Sequence, residues 1–152
     1  MTGDRGATAE PMVERVIGAP RTLVWRAWSE PAQFARWFGP AGFEVPTCEF
    51  EFREGAPYRL EMRGPNGQVY GLVGTFVEIV PLERIVMTQA PAGEPGMPSM
   101  ETTVEVELSE ATDGATRVVV RHLGWPSAEI AEGAMGGWAQ ALEKLEAVLA
   151  AA

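Results

Sequence analysis

The pattern of apolar and polar positions divides the chain into two regimes. From Ser127 to Ala151, the residues Ile130, Ala134, Trp138, Ala141, Leu142, Leu145 and Leu149 recur at spacings of three and four. That period puts them on one face of a long amphipathic helix. Glu129, Glu132, Gln140, Glu143 and Lys144 fall on the other face and are expected to meet solvent. Ser127 stands where an N-cap belongs. Gly133, Gly136 and Gly137 interrupt the segment, each costing about 1 kcal/mol relative to alanine. They lie off the apolar arc, so a bend near Gly136 and Gly137 is expected rather than room for a ligand.

Upstream the dominant period is two, the mark of half-buried strands. Met12 to Ile17 reads as a first strand, ended by Gly18. Two short helices follow, each opened by a proline, whose missing N–H is harmless in a first turn. Pro20 precedes the face Leu23, Val24, Ala27 and Trp28; Pro31 precedes Phe34, Trp37 and Phe38; Gly39 and Pro40 stop the second helix. Cys48, Phe50 and Phe52 then alternate with Glu49, Glu51 and Arg53, and Tyr58, Leu60 and Met62 with Arg59, Glu61 and Arg63. The charged rows are expected to oppose each other on the solvent side.

Asn66 and Gly67 mark a hairpin turn, and Val69 to Val80 a long strand whose Gly71 and Gly74 signal a bulge or bend. Arg84 to Gln89 is a strand, Ala90 to Ser99 a proline-rich loop, and Met100 to Leu108 another strand. After a turn at Asp113 and Gly114, Thr116 to Leu123 is the last, with Val118, Val120 and His122 on one face. A lone helix with a wide apolar face needs a partner surface, and the sheet is the one large candidate. The expected fold is therefore α+β: a curved antiparallel sheet wrapped around the C-terminal helix, with room between them for a small apolar ligand.

Length and composition narrow the function classes. The chain has 152 residues, 46% of them hydrophobic and 22% charged, which fits one globular domain. Residues 1–10 are small and polar and expected to be a disordered tail, leaving 11–152 as a single domain. The formal net charge of −9 argues against nucleic-acid or anionic-membrane partners, which need basic surface. No apolar run approaches the ~18 residues of a membrane span, and the N-terminus carries no secretory signal pattern. The single Cys48 excludes an intramolecular disulfide and fits a cytoplasmic location. One histidine and one cysteine, far apart, form no metal-ligand set, and no cofactor motif is present.

Several local motifs carry a family resemblance. Ala19-Pro20, Val24-Trp25, Trp28-Ser29-Glu30-Pro31 and Trp37-Phe38-Gly39-Pro40 stand in the opening helical region. Arg53-Glu54-Gly55-Ala56, Gly74 to Ile79 and Pro81 to Val86 occupy the turns and central hairpin, and Gly137-Trp138 with Leu142, Leu145 and Leu149 the closing helix. In this order they resemble the START-like (SRPBCC) helix-grip superfamily, also called Bet v1-like, and within it the domain homologous to the Hsp90 ATPase activator. The resemblance implies a seven-stranded antiparallel sheet gripping the C-terminal helix, two short helices after the first strand, and a cavity. It implies little about chemistry, because the superfamily holds carriers, receptors, aromatases and cyclases. Gln89 stands where a tryptophan often closes the family's central hairpin, which implies a wider or more polar cavity.

The candidate ligand-binding residues are Trp37, Phe38, Tyr58, Met62, Tyr70, Leu72, His122, Met135 and Trp138. His122 either orients a polar group or acts as a base near neutral pH; the alternative is a core histidine bonded to backbone. Trp37, Phe38 and Trp138 are explained equally by core packing. Tyr58 and Tyr70 bring hydroxyls that need partners, and Met62 and Met135 an adaptable lining. No catalytic residue is identified: no nucleophile motif, phosphate loop or paired carboxylates stand out. The leading expectation is binding of a small apolar or aromatic molecule. An enzyme of the cyclase, aromatase or hydrolase kind is the second, and a protein-binding module the third. The family name suggests Hsp90 as a partner for the third, but the chain lacks the activator's separate N-terminal domain. Val119 and parts of Val69 to Val80 put apolar groups on the expected outer face, compatible with a homodimer.

Overall fold

Among the described residues the periodicities condense into a sheet of seven strands and three α-helices. The computed structural model describes residues 11–92 and 101–151. The expected tail of residues 1–10, most of the proline-rich loop and Met100 lie outside the described residues. In chain order the elements are β1 (Met12–Ile17), α1 (Arg21–Ser29), α2 (Pro31–Phe34), β2 (Glu44–Phe50), β3 (Pro57–Arg63), β4 (Val69–Val80), β5 (Arg84–Pro91), β6 (Thr102–Glu110), β7 (Thr116–Leu123) and α3 (Ala128–Ala150).

Every strand pairs antiparallel with its neighbours, in the spatial order β1-β7-β6-β5-β4-β3-β2. Strict alternation fixes the register, since a slip of one residue would turn the buried row outward. In β7, Thr116, Val118, Val120 and His122 are buried; in β6, Thr102, Val104, Val106 and Leu108. The outer face carries charge instead. Arg84 donates to Glu78 and Glu107 at 2.8 Å each, and Arg121 meets Glu107 at 3.1 Å. On β2 and β3, Glu49 stands opposite Arg59, and Glu44 pairs with Arg63 at 3.5 Å.

The sheet bends where β4 meets β5. The register shifts by one residue between Phe76 and Glu78, a bulge that increases local twist. Gly74 lies just before it, opposite Tyr58. A Cβ there would come within 2.0 Å of the Thr88 carbonyl oxygen and 2.5 Å of the Tyr58 ring. Glycine therefore lets the tyrosine ring lie across the strand.

Helix α3 closes the concave side. Ser127 accepts a hydrogen bond from the Ile130 amide as its N-cap, and Trp138, Ala141, Leu142 and Leu145 are buried against the sheet. Each large side chain so buried stabilises by about 1.5–3 kcal/mol. Arg15 of β1 reaches Glu146 at 2.7 Å, tying the edge strand to the helix. The helix runs unbroken from Ala128 to Ala150, with no irregularity at Gly136 or Gly137. The glycines do not break the helix, and two of them have a different use, described below.

Helices α1 and α2 fill one end of the core with rings. Trp28 stacks on Trp138 with centroids 5.8 Å apart, and Phe34 stacks on Phe38 at 4.7 Å. The second helix is only four residues long, so Trp37 and Phe38 sit in the turn beyond it. Phe38 is thereby carried to the edge of a hollow that the rings leave unfilled.

Candidate functional site

The hollow lies between α3, the inner face of the sheet and the loop of residues 38–43. It holds about 210 Å³, against the roughly 150 Å³ that suffices for a benzene-sized ring in an apolar cavity. Phe38, Gly39 and Pro40 form one wall. The sheet contributes Met62 from β3, Leu72 from β4, Gln89 from β5 and His122 from β7, with Trp125 just beyond. The helix contributes Gly133, Ala134, Gly137, Trp138 and Ala141. Among the described residues, no charged side chain lines it.

The helix residues explain why space remains. Positions 133, 134, 137 and 141 share a face flanking Trp138, and all four are glycine or alanine. A Cβ on Gly133 would meet nothing within 4 Å, while one on Gly137 would touch Pro40 at 3.4 Å. Gly133 and Gly137 thus border the cavity, contrary to the reading that placed the glycines off the ligand side. Gly136 is likewise exposed with open space around it, but it lies outside the cavity lining.

His122 anchors the back wall at 1% exposure. The Trp138 indole N–H donates to His122 Nδ1 at 3.0 Å. Indole nitrogen only donates, so Nδ1 is the acceptor and Nε2 carries the proton. Nε2 lies 2.7 Å from Thr102 Oγ1, to which it donates, and that hydroxyl donates to the Gln89 main-chain oxygen at 3.1 Å. Burial lowers the imidazole pKa to about 4. His122 is therefore neutral, with both nitrogens engaged by side chains rather than by backbone. It has no free lone pair for a substrate proton, which removes the base role considered from sequence.

The loop wall is held by a residue that the sequence pattern assigned to solvent. Lys144 Nζ donates to the carbonyl oxygens of Phe38, Gly39, Pro40 and Phe43 at 3.1–3.3 Å. Partial burial lowers its pKa. Gln140, also assigned to solvent, accepts from the Ala41 amide at 2.9 Å. Gly39 takes φ +97°, a conformation that glycine adopts without strain, and this turns the loop's carbonyls toward Lys144.

The remaining candidates scatter. Phe38, Met62, Leu72, His122 and Trp138 come together around the cavity. Tyr58 borders a separate space of about 10 Å³, too small for more than one water. Its hydroxyl donates to the Thr88 carbonyl, so no ligand is needed to satisfy it, and burial raises its pKa. Trp37 is fully buried and donates to the Ala27 carbonyl at 3.0 Å, away from either space. Tyr70 shares the inner face with Met62 but lies near the strand end, 41% exposed, its ring 6.1 Å from Phe43. Met135 packs on the core without reaching the lining. Cys48 is no nucleophile: burial, then the nearby Glu49 carboxylate, raise its thiol pKa to about 11.

Sequence reasoning missed Trp125, Gly133, Ala134, Gly137, Ala141 and Lys144. Ala134 and Ala141 were visible as helix-face residues, but their small size was not read as space. Among the described residues, no cluster of three metal-ligating side chains occurs, and no helix is long and apolar enough to cross a membrane.

Comparison with known proteins agrees with this architecture. The family described as Activator of Hsp90 ATPase homolog 1-like protein matches residues 18–150. No curated protein matches significantly. Among solved structures, a protein of Chromobacterium violaceum is 32% identical, with 90% of this chain and 94% of that chain covered and a TM-score of 0.79. One from Nitrosomonas europaea is 27% identical over 91% and 92% of the two chains, with a TM-score of 0.76. The AHSA1 protein of Silicibacter pomeroyi, 24% identical over 91% and 96%, shares the fold at a TM-score of 0.81. With the profile spanning nearly the whole sheet and the closing helix, the chain belongs to the Activator of Hsp90 ATPase homolog 1-like family.

Proposed function

We propose that this protein binds a small apolar or aromatic molecule in the cavity between the sheet and α3. The observation that carries the reading is the unfilled space of about 210 Å³ walled by Phe38, Met62, Leu72 and Trp138. The hollow is open to solvent on one side, so a ligand that fills it displaces water from apolar walls and gains dispersion contacts. The stripe of small residues on α3 keeps it open, and the Lys144 anchor holds its loop wall. A concave lining of apolar and aromatic side chains with few polar groups is the usual chemistry of a small-molecule site.

The test is thermal stabilisation by a panel of uncharged one- and two-ring compounds, read on the full chain. Binding to the native state raises Tm with ligand concentration. The expected result is stabilisation that disappears when Gly133→Leu fills the space. Stabilisation that persists in Gly133→Leu, or none from any compound, contradicts the reading. Catalysis is no part of it, because His122 has both nitrogens committed and no acid partner.

A further inference from the structure

Gln89 and Trp125 stand apart from the other polar residues of the cavity. The Trp125 indole N–H is buried without a partner among the described residues, and it can only donate. His122 is bonded through both nitrogens, and the Trp138 N–H is spent on His122. The carbonyls of Phe38, Gly39 and Pro40 accept from Lys144. The Gln89 main-chain oxygen accepts from Thr102, but its side-chain amide has no hydrogen-bond partner among the described residues. Gln89 borders both the large cavity and the small one beside Tyr58, and among the described residues only Phe38 shares this position. It therefore presents an unused donor and an unused acceptor, where Trp125 has only an unused donor, in a wall whose other groups are apolar or already paired.

We infer that the ligand is an uncharged aromatic molecule bearing one hydroxyl or carbonyl oxygen, which the Gln89 side-chain amide recognises. The inference rests on the cavity-binding reading above and specifies its chemical class. A hydroxyl suits the amide best, since it donates and accepts as the amide does. A carboxylate is disfavoured: among the described residues no cation lines the cavity, the Lys144 ammonium beside it is committed to four carbonyls, and an unpaired charge is costly to bury. A plain hydrocarbon fills the space but leaves the amide dry and unpaired.

Three compounds with one ring system separate these cases: naphthalene, 2-naphthol and 2-naphthoate. Affinities are measured by calorimetry at neutral pH on the full chain and on Gln89→Leu. The leucine variant keeps the main-chain oxygen that Thr102 uses. For the wild-type chain, 2-naphthol should bind about fivefold to tenfold tighter than naphthalene, and 2-naphthoate more weakly than either. In Gln89→Leu the 2-naphthol advantage should vanish while naphthalene binding persists. Equal binding of naphthol and naphthalene, tightest binding of naphthoate, or an advantage that survives in Gln89→Leu overturns the inference and leaves the cavity as a ligand site. Absence of binding by all three overturns both readings.

Discussion

Trp138 and His122 share one hydrogen bond, 3.0 Å from indole nitrogen to Nδ1, that joins the closing helix to the last strand at the back of the cavity. This single contact settles the tautomer and sends the other imidazole proton to Thr102, while burial holds the ring neutral. The helix is thereby positioned by a directional bond as well as by apolar packing. Its consequence is a specific dependence of stability on pH.

An unfolded histidine binds a proton near pH 6.5, whereas His122 in the folded chain does so only near pH 4. Between these values the unfolded state holds more protons, so stability falls as pH drops through the window. The full loss is roughly 3 kcal/mol if this group acts alone. Denaturant unfolding across pH 7 to 5, above most carboxylate titration, should show the slope in the wild-type chain. His122→Asn should flatten it, whatever its absolute stability.

Lys144 should matter more than a surface lysine. Lys144→Met keeps much of the aliphatic stem but leaves four carbonyls of the 38–43 loop without their cation. A loss of about 1–3 kcal/mol is expected, with faster hydrogen exchange concentrated in residues 38–43. Exchange that rises uniformly over the chain would contradict a local anchor.

The glycines of α3 should respond in opposite ways. Gly136 faces open space on the solvent side, so Gly136→Ala should stabilise by about 0.5–1 kcal/mol through helix propensity, without touching binding. Gly133→Leu should place its side chain in the cavity and abolish ligand stabilisation while the chain remains folded. Thermal denaturation with and without ligand reads both.

Gly74→Ala should be severe. Its methyl would overlap the Thr88 carbonyl and the Tyr58 ring, and a displaced ring loses its hydrogen bond to that carbonyl. Destabilisation above about 2 kcal/mol is expected. Tyr58→Phe, which removes only the hydroxyl, should cost about 1 kcal/mol. Urea denaturation of the two variants compares them directly.

Much of this architecture was legible in the sequence, and the reason is periodicity. Thr116–Leu123 begins and ends where the apolar alternation does, because one face of that strand is buried along its length; the edge strand Met12–Ile17 keeps its expected bounds although only Ile17 of its apolar residues is buried. Ser127 caps α3 as its type and place foretold. What stayed hidden depends on partners with no sequence signature. Lys144 binds main-chain carbonyls, and carbonyls are the same at every residue. Gly133 and Gly137 read as defects in a helix, because the space beside them is visible only after the 38–43 loop has folded over. Tyr70 was placed on the correct face, but face alone does not reveal that its end of the strand projects past the cavity. Trp37 turned inward because α2 is a single turn, shorter than its apolar spacing suggested.

The central claim is that the space beside Trp138 is a ligand site. Its most direct test uses the indole N–H signals of the five tryptophans, recorded by two-dimensional NMR during titration with 2-naphthol. Trp125 and Trp138 line the cavity, whereas Trp25 packs on Phe52 outside it. Saturable shifts of the Trp125 and Trp138 signals with Trp25 unmoved are the expected result. Unchanged Trp125 and Trp138 signals, or shifts centred on Trp25, would contradict the account.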